Sequence, residues 1–143
     1  MPEWNMPYDF MLCEKTDCPR AAACLRHIAY MRELETATIL RIINPRKLPA
    51  DDSGDCAFFR DATPVTYAFG FKKMQGRMFP AQYAAFKSRL MARYGRNPFF
   101  ERRKGAFPLS PKEQAWIKRA ARRAGVEAEF EFDSYEERYH WMD

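Results

Sequence analysis

Histidine is almost missing from this 143-residue chain: His27 and His140 are the only two. That scarcity excludes most Ser/His/Asp, Cys/His and His-metal catalytic arrangements. Glycine is also sparse, with six residues scattered and no phosphate-cradling loop among them. The acidic pairs Asp51/Asp52 and Glu136/Glu137 read as loop and surface residues. Cys56 beside Asp55 has no neighbouring base to activate it. The expectation is a protein that is not an enzyme, with no catalytic residue and no small-molecule substrate.

Long apolar runs are lacking too. No stretch approaches the ~20 residues that span a bilayer, so no membrane partner is expected. The opening Met1-Pro2-Glu3-Trp4-Asn5 has no basic region leading into an apolar one, and a cytoplasmic location is expected. Valine and isoleucine are scarce, whereas alanine is plentiful and the aromatics comprise twelve Phe, seven Tyr and three Trp. A core of rings packed against small side chains follows. That aromatic content argues against disorder, and the length suits one domain.

Helix signals are clear in places. Pro80 opens a helix that Gly95 stops, with Tyr83, Phe86, Leu90 and Tyr94 facing inward. Ser110-Pro111-Lys112-Glu113 is a capping box opening a helix that Gly125 ends. An earlier helix is predicted from Pro19 to about Leu34, carrying Cys24 on its second turn. Ser134-Tyr135-Glu136-Glu137 predicts a short terminal helix bearing Tyr139 and Trp141. Strands are predicted at 38–43, 56–59, 66–71 and 126–132. In the third, Tyr67, Phe69 and Phe71 share a face; in the last, Val126, Ala128, Phe130 and Phe132 alternate with Glu127, Glu129 and Glu131. Helices and strands do not alternate regularly, which predicts an α+β fold. It would be a small, mainly antiparallel sheet packed with three to four helices, its N-terminal region organised by a Cys-rich metal site. The whole chain, 1–143, reads as a single domain with a Cys-rich segment 1–60, a basic helical segment 72–125 and an acidic strand and helix 126–143.

Four cysteines carry the strongest chemical signal: Cys13, Cys18 and Cys24 within twelve residues, then Cys56. In reducing surroundings such a cluster holds a metal more often than a disulfide. Zinc takes four thiolates, or three and an imidazole, in a tetrahedron. The expected ligands are Cys13, Cys18, Cys24 and Cys56, with His27, one turn after Cys24, as the substitute fourth. Either set closes the site, so the zinc would be structural. Two other readings stay open. One is an iron–sulfur cluster, since Cys18-Pro19 echoes a Cys-Pro step in some ferredoxins; the other is simple buried thiols. The order Cys13, Cys18, Cys24, His27 is that of RNA-binding CCCH fingers. The first gap is too short for them, and no aromatic lies between these cysteines to stack on a base.

Charge is uneven along the chain. From 72 to 123 there are fifteen Lys and Arg against Glu101 and Glu113, whereas the rest is net acidic. A basic block of this kind points to nucleic acid or to a regulatory, protein-bound role. On the 111–124 helix, Ile117, Ala120, Ala121 and Ala124 lie opposite Lys112, Arg119 and Arg123, flanked by Lys118 and Arg122. Just upstream, Arg96, Arg102, Arg103 and Lys104 interleave with Phe99 and Phe100, which read as core. The candidate nucleic-acid contacts are therefore Arg96, Arg102, Arg103, Lys104, Lys112, Arg119, Arg122 and Arg123. They would grip phosphate in a salt-sensitive way. The alternatives are a charged helix that is merely solvated, with Glu127, Glu129 and Glu131 neutralising it, and a protein–protein adaptor with no nucleic acid.

The succession Cys13, Cys18-Pro19, Cys24-Leu25-Arg26, Asn44-Pro45, Cys56, Tyr94-Gly95-Arg96, Ser110-Pro111-Lys112-Glu113-Gln114 and Phe132-Asp133-x-Tyr135 resembles a family of small uncharacterised bacterial proteins from gut anaerobes, a domain of unknown function. The resemblance covers nearly the whole chain. It implies one integrated domain in which the cysteines recur, and no activity.

Overall fold

Proline, glycine and a hydroxyl cap set the helices of the second half. In the computed structural model, which describes residues 2–49 and 56–142, Ser110 Oγ accepts the Glu113 N–H at 3.3 Å and Pro111 takes the first helical position. This starts helix α5, Pro111–Arg123. Pro80 likewise opens α3, Pro80–Tyr94, where the Phe79 N–H donates to Gln82 Oε1 at 3.0 Å. Gly95, at φ +85°, ends α3 and turns directly into α4, Arg96–Lys104. Pro98 sits in the first turn of α4, where its missing N–H costs no intrahelical bond.

These helices belong to a compact unit, Val65–Arg138. In it, α3 and α5 run antiparallel. Gln82 Nε2 donates to the Gly125 carbonyl at 2.8 Å at one end, and Tyr94 Oη donates to Glu113 Oε2 at 3.1 Å at the other. The strands β1, Val65–Phe69, and β2, Ser134–Arg138, pair antiparallel with Ala68 opposite Tyr135. Between them and the helices lies a core of Phe71, Phe86, Phe99, Leu90, Leu109 and Ile117, all fully buried. Edge-to-face rings such as Phe71 on Phe86, centroids 5.7 Å apart, fill it as the aromatic-rich composition implies. The short α2, Lys72–Gln75, is capped from a distance: Asp133 accepts the Lys72 and Lys73 N–H groups at 3.0 Å each. Gly70, at φ +75°, lets the chain pass close to that carboxylate.

The other unit comprises Met1–Pro64 and Tyr139–Asp143. Its core is Phe10, Leu12, Leu25, Ala29 and Trp141, with Trp4 and Tyr139 packed against it. Trp141 Nε1 donates to Asn5 Oδ1 at 3.1 Å, and the Trp4 and Trp141 rings meet edge-on at 4.9 Å. Among its described residues one α-helix stands, α1, Leu25–Glu33, burying Leu25 and Ala29. Isolated bridges join Leu12 to Ile42 and Cys24 to Asp61.

The fold is α+β, with five α-helices and one two-stranded antiparallel sheet among the described residues. Several expected elements differ. The helix predicted from Pro19 is broken: Ala21–Ala23 form a 3-10 turn, and Cys24 is extended (φ −98°, ψ 119°) so that the backbone beside it can bond residues 60–62. Cys24 thus caps α1 instead of riding its second turn. The 38–43 strand reduces to the single Ile42 bridge, and 56–59 is a turn. In β1 it is Ala68, not the aromatic face, that is fully buried; Tyr67 and Phe69 are half-buried. Residues 126–132 bury Val126, Phe130 and Phe132 and expose their glutamates without pairing to any strand, and Ala128 is exposed. Ser134-Tyr135-Glu136-Glu137 is strand, not helix, because β1 takes it as its ladder partner. The acidic run 51–55 lies outside the described residues.

Candidate metal centre and basic groove

All four cysteines line one small cavity. About 20 Å³ in volume, it is bordered by Cys13, Cys18, Cys24 and Cys56 together with His27, Lys15, Arg20 and Arg26. Each cysteine arrives from a different local structure. Cys13 follows the Leu12 bridge, Cys18 leads into the 3-10 turn, Cys24 is the extended cap of α1, and Cys56 begins a turn. All are free thiols; Cys24 is buried and the other three are half-buried. Among the described residues, no three or more His, Cys, Asp or Glu side chains stand in metal-holding geometry. The cysteines are gathered around a common space without being drawn onto a common point.

The electrostatics tie the group together. Burial pushes the Cys13 thiol up from its ordinary value. The Lys15 backbone N–H bonded to its sulfur opposes this, and the charges of Cys24, Cys56 and Cys18 push it further up. Cations ring the cavity. Arg26 Nε donates to the Phe58 carbonyl at 2.7 Å and its Nη1 to the Met11 carbonyl at 2.8 Å. Burial and then the Arg60 charge lower the Arg26 guanidinium from its ordinary value, while Cys24, Cys13 and Cys56 oppose that shift. The Arg20 guanidinium lies 3.3 Å from the Phe59 ring centroid. Lys15 Nζ donates to the Pro49 carbonyl.

His27 Nδ1 lies 3.0 Å from the Cys13 carbonyl. A carbonyl only accepts, so Nδ1 carries the proton and a neutral ring keeps its lone pair on Nε2. Sequence spacing brought His27 forward as a substitute ligand. The structure shows it bracing the Cys13 backbone at the same cavity.

The predicted phosphate contacts scatter. Arg102 Nε is bonded to Glu113 Oε2 at 3.1 Å, and its guanidinium lies over the rings of Tyr94 and Phe107. Arg103 Nε donates to Gln75 Oε1. These two hold the unit together. Arg96, Lys104 and Lys112 are exposed and border neither of the two clefts beside α5. One of these clefts is of mixed charge, with Arg122 and Lys118 bordering Glu127 and Glu129. The other is a groove of about 550 Å³ with Trp116 in its wall. It brings Arg119 and Arg123 together with Arg89 and Arg93 of α3, two arginines that the basic-block pattern did not single out. Their signal was the four-residue spacing of Arg89 and Arg93, which sets both on one flank of α3 next to the buried Phe86 and Leu90.

Among the described residues, no helix is long and apolar enough to cross a membrane. Neither a curated protein nor a solved structure matches the chain. Residues 3–141 match the model of a family of unknown function, DUF6078, and the chain belongs to that family.

Proposed function

We propose that the Cys-rich unit is a structural zinc module, with Cys13, Cys18, Cys24 and Cys56 as the four ligands. The observation that carries this is the convergence of every cysteine in the chain on one cavity of about 20 Å³. A space that admits a water-sized body also has room for a single ion. Closing the thiolates to ~2.3 Å from one ion is the step the proposal adds.

The surroundings suit the charge that step creates. Zinc with four thiolates is a dianion, and Lys15, Arg20 and Arg26 border it. The Lys15 N–H on the Cys13 sulfur stabilises the thiolate form. Without metal, a raised Cys13 thiol stays protonated, so ion binding releases protons and strengthens as pH rises. Four protein ligands leave no position for substrate or water, so the ion's role would be to tie Cys13, α1 and the 56–59 turn together.

Titrating metal-stripped protein with cobalt(II) tests this. The expected result is an intense thiolate-to-metal absorption that saturates at one equivalent and is erased by zinc. No such band, with all four thiols still freely reactive, would overturn the proposal.

A further inference from the structure

The groove between α3 and α5 has a chemistry separate from the cysteine cavity. Arg89 and Arg93 on one wall and Arg119 and Arg123 on the other are all exposed, and among the described residues no carboxylate lines the space between them. Among the described residues, none of the four forms an ion pair. Within each helix the two arginines are four residues apart, about 6 Å along the axis. Because α3 and α5 are antiparallel, Arg89 and Arg119 stand at mid-groove, and Arg93 and Arg123 extend the row of forked donors toward opposite ends. A one-sign cleft with low-dielectric walls focuses its field on an anion inside it. Four like charges held this close repel one another, and an anion in the groove relieves that repulsion.

We propose that this groove binds single-stranded nucleic acid through its phosphodiester backbone. Guanidinium forks match phosphate oxygens in pairs, and four of them along two walls suit successive phosphates rather than one small anion. The cations line a recess between two helices. They do not stand on a projecting ridge, so a single strand can lie in the groove, whereas a duplex would need an element that enters its own groove. Trp116 is not a stacking platform for bases. The Arg93 guanidinium lies 4.2 Å from its ring centroid, so the indole orients that arginine. Binding is therefore insensitive to base identity and strongly sensitive to salt.

The test uses the full chain and a labelled single-stranded oligonucleotide of mixed sequence, titrated at several salt concentrations, with the matching duplex as a second arm. Each phosphate contact contributes about −0.7 to the slope of log affinity against log salt, so four give about −2.8. Arg89→Gln with Arg119→Gln should weaken binding and make the slope shallower by about 1.4. Arg89→Lys with Arg119→Lys should restore most of the affinity, which separates lost charge from lost fold. Lys118→Gln with Arg122→Gln removes equal charge from the neighbouring cleft and should leave both quantities unchanged. The proposal is overturned by any of three results: no salt-dependent binding, equal losses from the groove and cleft variants, or tighter binding of the duplex.

Discussion

Replacing Cys24 by serine separates a metal-tied unit from an ordinary one by the sign of its effect. Cys24 is 8% exposed, extended, and stands at the N-cap of α1 with no side-chain capping bond. Serine is among the best residues for that position, because its oxygen can accept the free N–H groups of the first turn. That gain is typically ~1 kcal/mol. In a unit without metal, Cys24→Ser should therefore be neutral or mildly stabilising. With zinc bound the balance reverses. Structural zinc contributes roughly 10–16 kcal/mol, on the order of 3 kcal/mol for each of four thiolates. The cap recovers only a fraction of this, which leaves a net loss of about 2 kcal/mol. At roughly 3 °C per kcal/mol for a chain of this size, the melting temperature should fall by about 6 °C. Two of the three tryptophans, Trp4 and Trp141, lie in the Cys-rich unit, so indole fluorescence reports on it. Melts would be recorded for both proteins with zinc and with a strong chelator. The serine variant should be less stable than wild type in zinc and equally or more stable in chelator. A variant as stable as wild type in zinc would mean that Cys24 holds no metal.

Three further outcomes follow from the structure. His27→Ala should lower zinc affinity by about 10–100-fold, the range for a residue that braces a ligand, without abolishing binding. Loss as complete as that of Cys56→Ser would make the imidazole a ligand; competition against a fluorescent chelator measures both. Tyr94, half-buried and facing Glu113, is pushed up to about 12 from an ordinary value of 10.0. The unfolded chain therefore loses this proton first. The stability it contributes is full below pH 10 and is lost as pH rises through about 12, a slope that Tyr94→Phe should remove from alkaline unfolding curves. Gly70→Ala would place a Cβ 2.6 Å from Asp133 Oδ2 and 3.3 Å from the Arg103 carbonyl, at φ +75°. The left-handed backbone alone costs ~1–2 kcal/mol, and the displaced carboxylate also caps α2, so denaturant unfolding should show a loss above that.

The sequence showed most where local chemistry decides. Ser110-Pro111, Pro80 and Gly95 mark real helix ends because caps and turns act within four residues. It misled where a distant partner decides. The Ser-Tyr-Glu-Glu pattern at 134–137 suits a helix start, yet β1 needs a partner and takes it as strand. Glutamates alternating through 126–132 mark Val126, Phe130 and Phe132 as buried, but Ala128 is exposed and alternation alone does not supply a neighbouring strand. The α4 helix was hidden by its charges and by Pro98, although a proline just after Gly95 is admissible in a first turn. Cysteine count and spacing pointed to the candidate ligands. The shared cavity, its ring of Lys15, Arg20 and Arg26, and the pairing of Arg89 and Arg93 with Arg119 and Arg123 depend on tertiary contacts that spacing does not carry.

The most direct check is elemental analysis of protein purified without added metal, combined with a count of reactive thiols in the native state. A metal-centred unit predicts close to one zinc per chain, no visible colour, and four thiols that become reactive only after chelation. A colourless, metal-free protein that takes up no zinc, whose four thiols react at once and whose melting is indifferent to chelator, would contradict it.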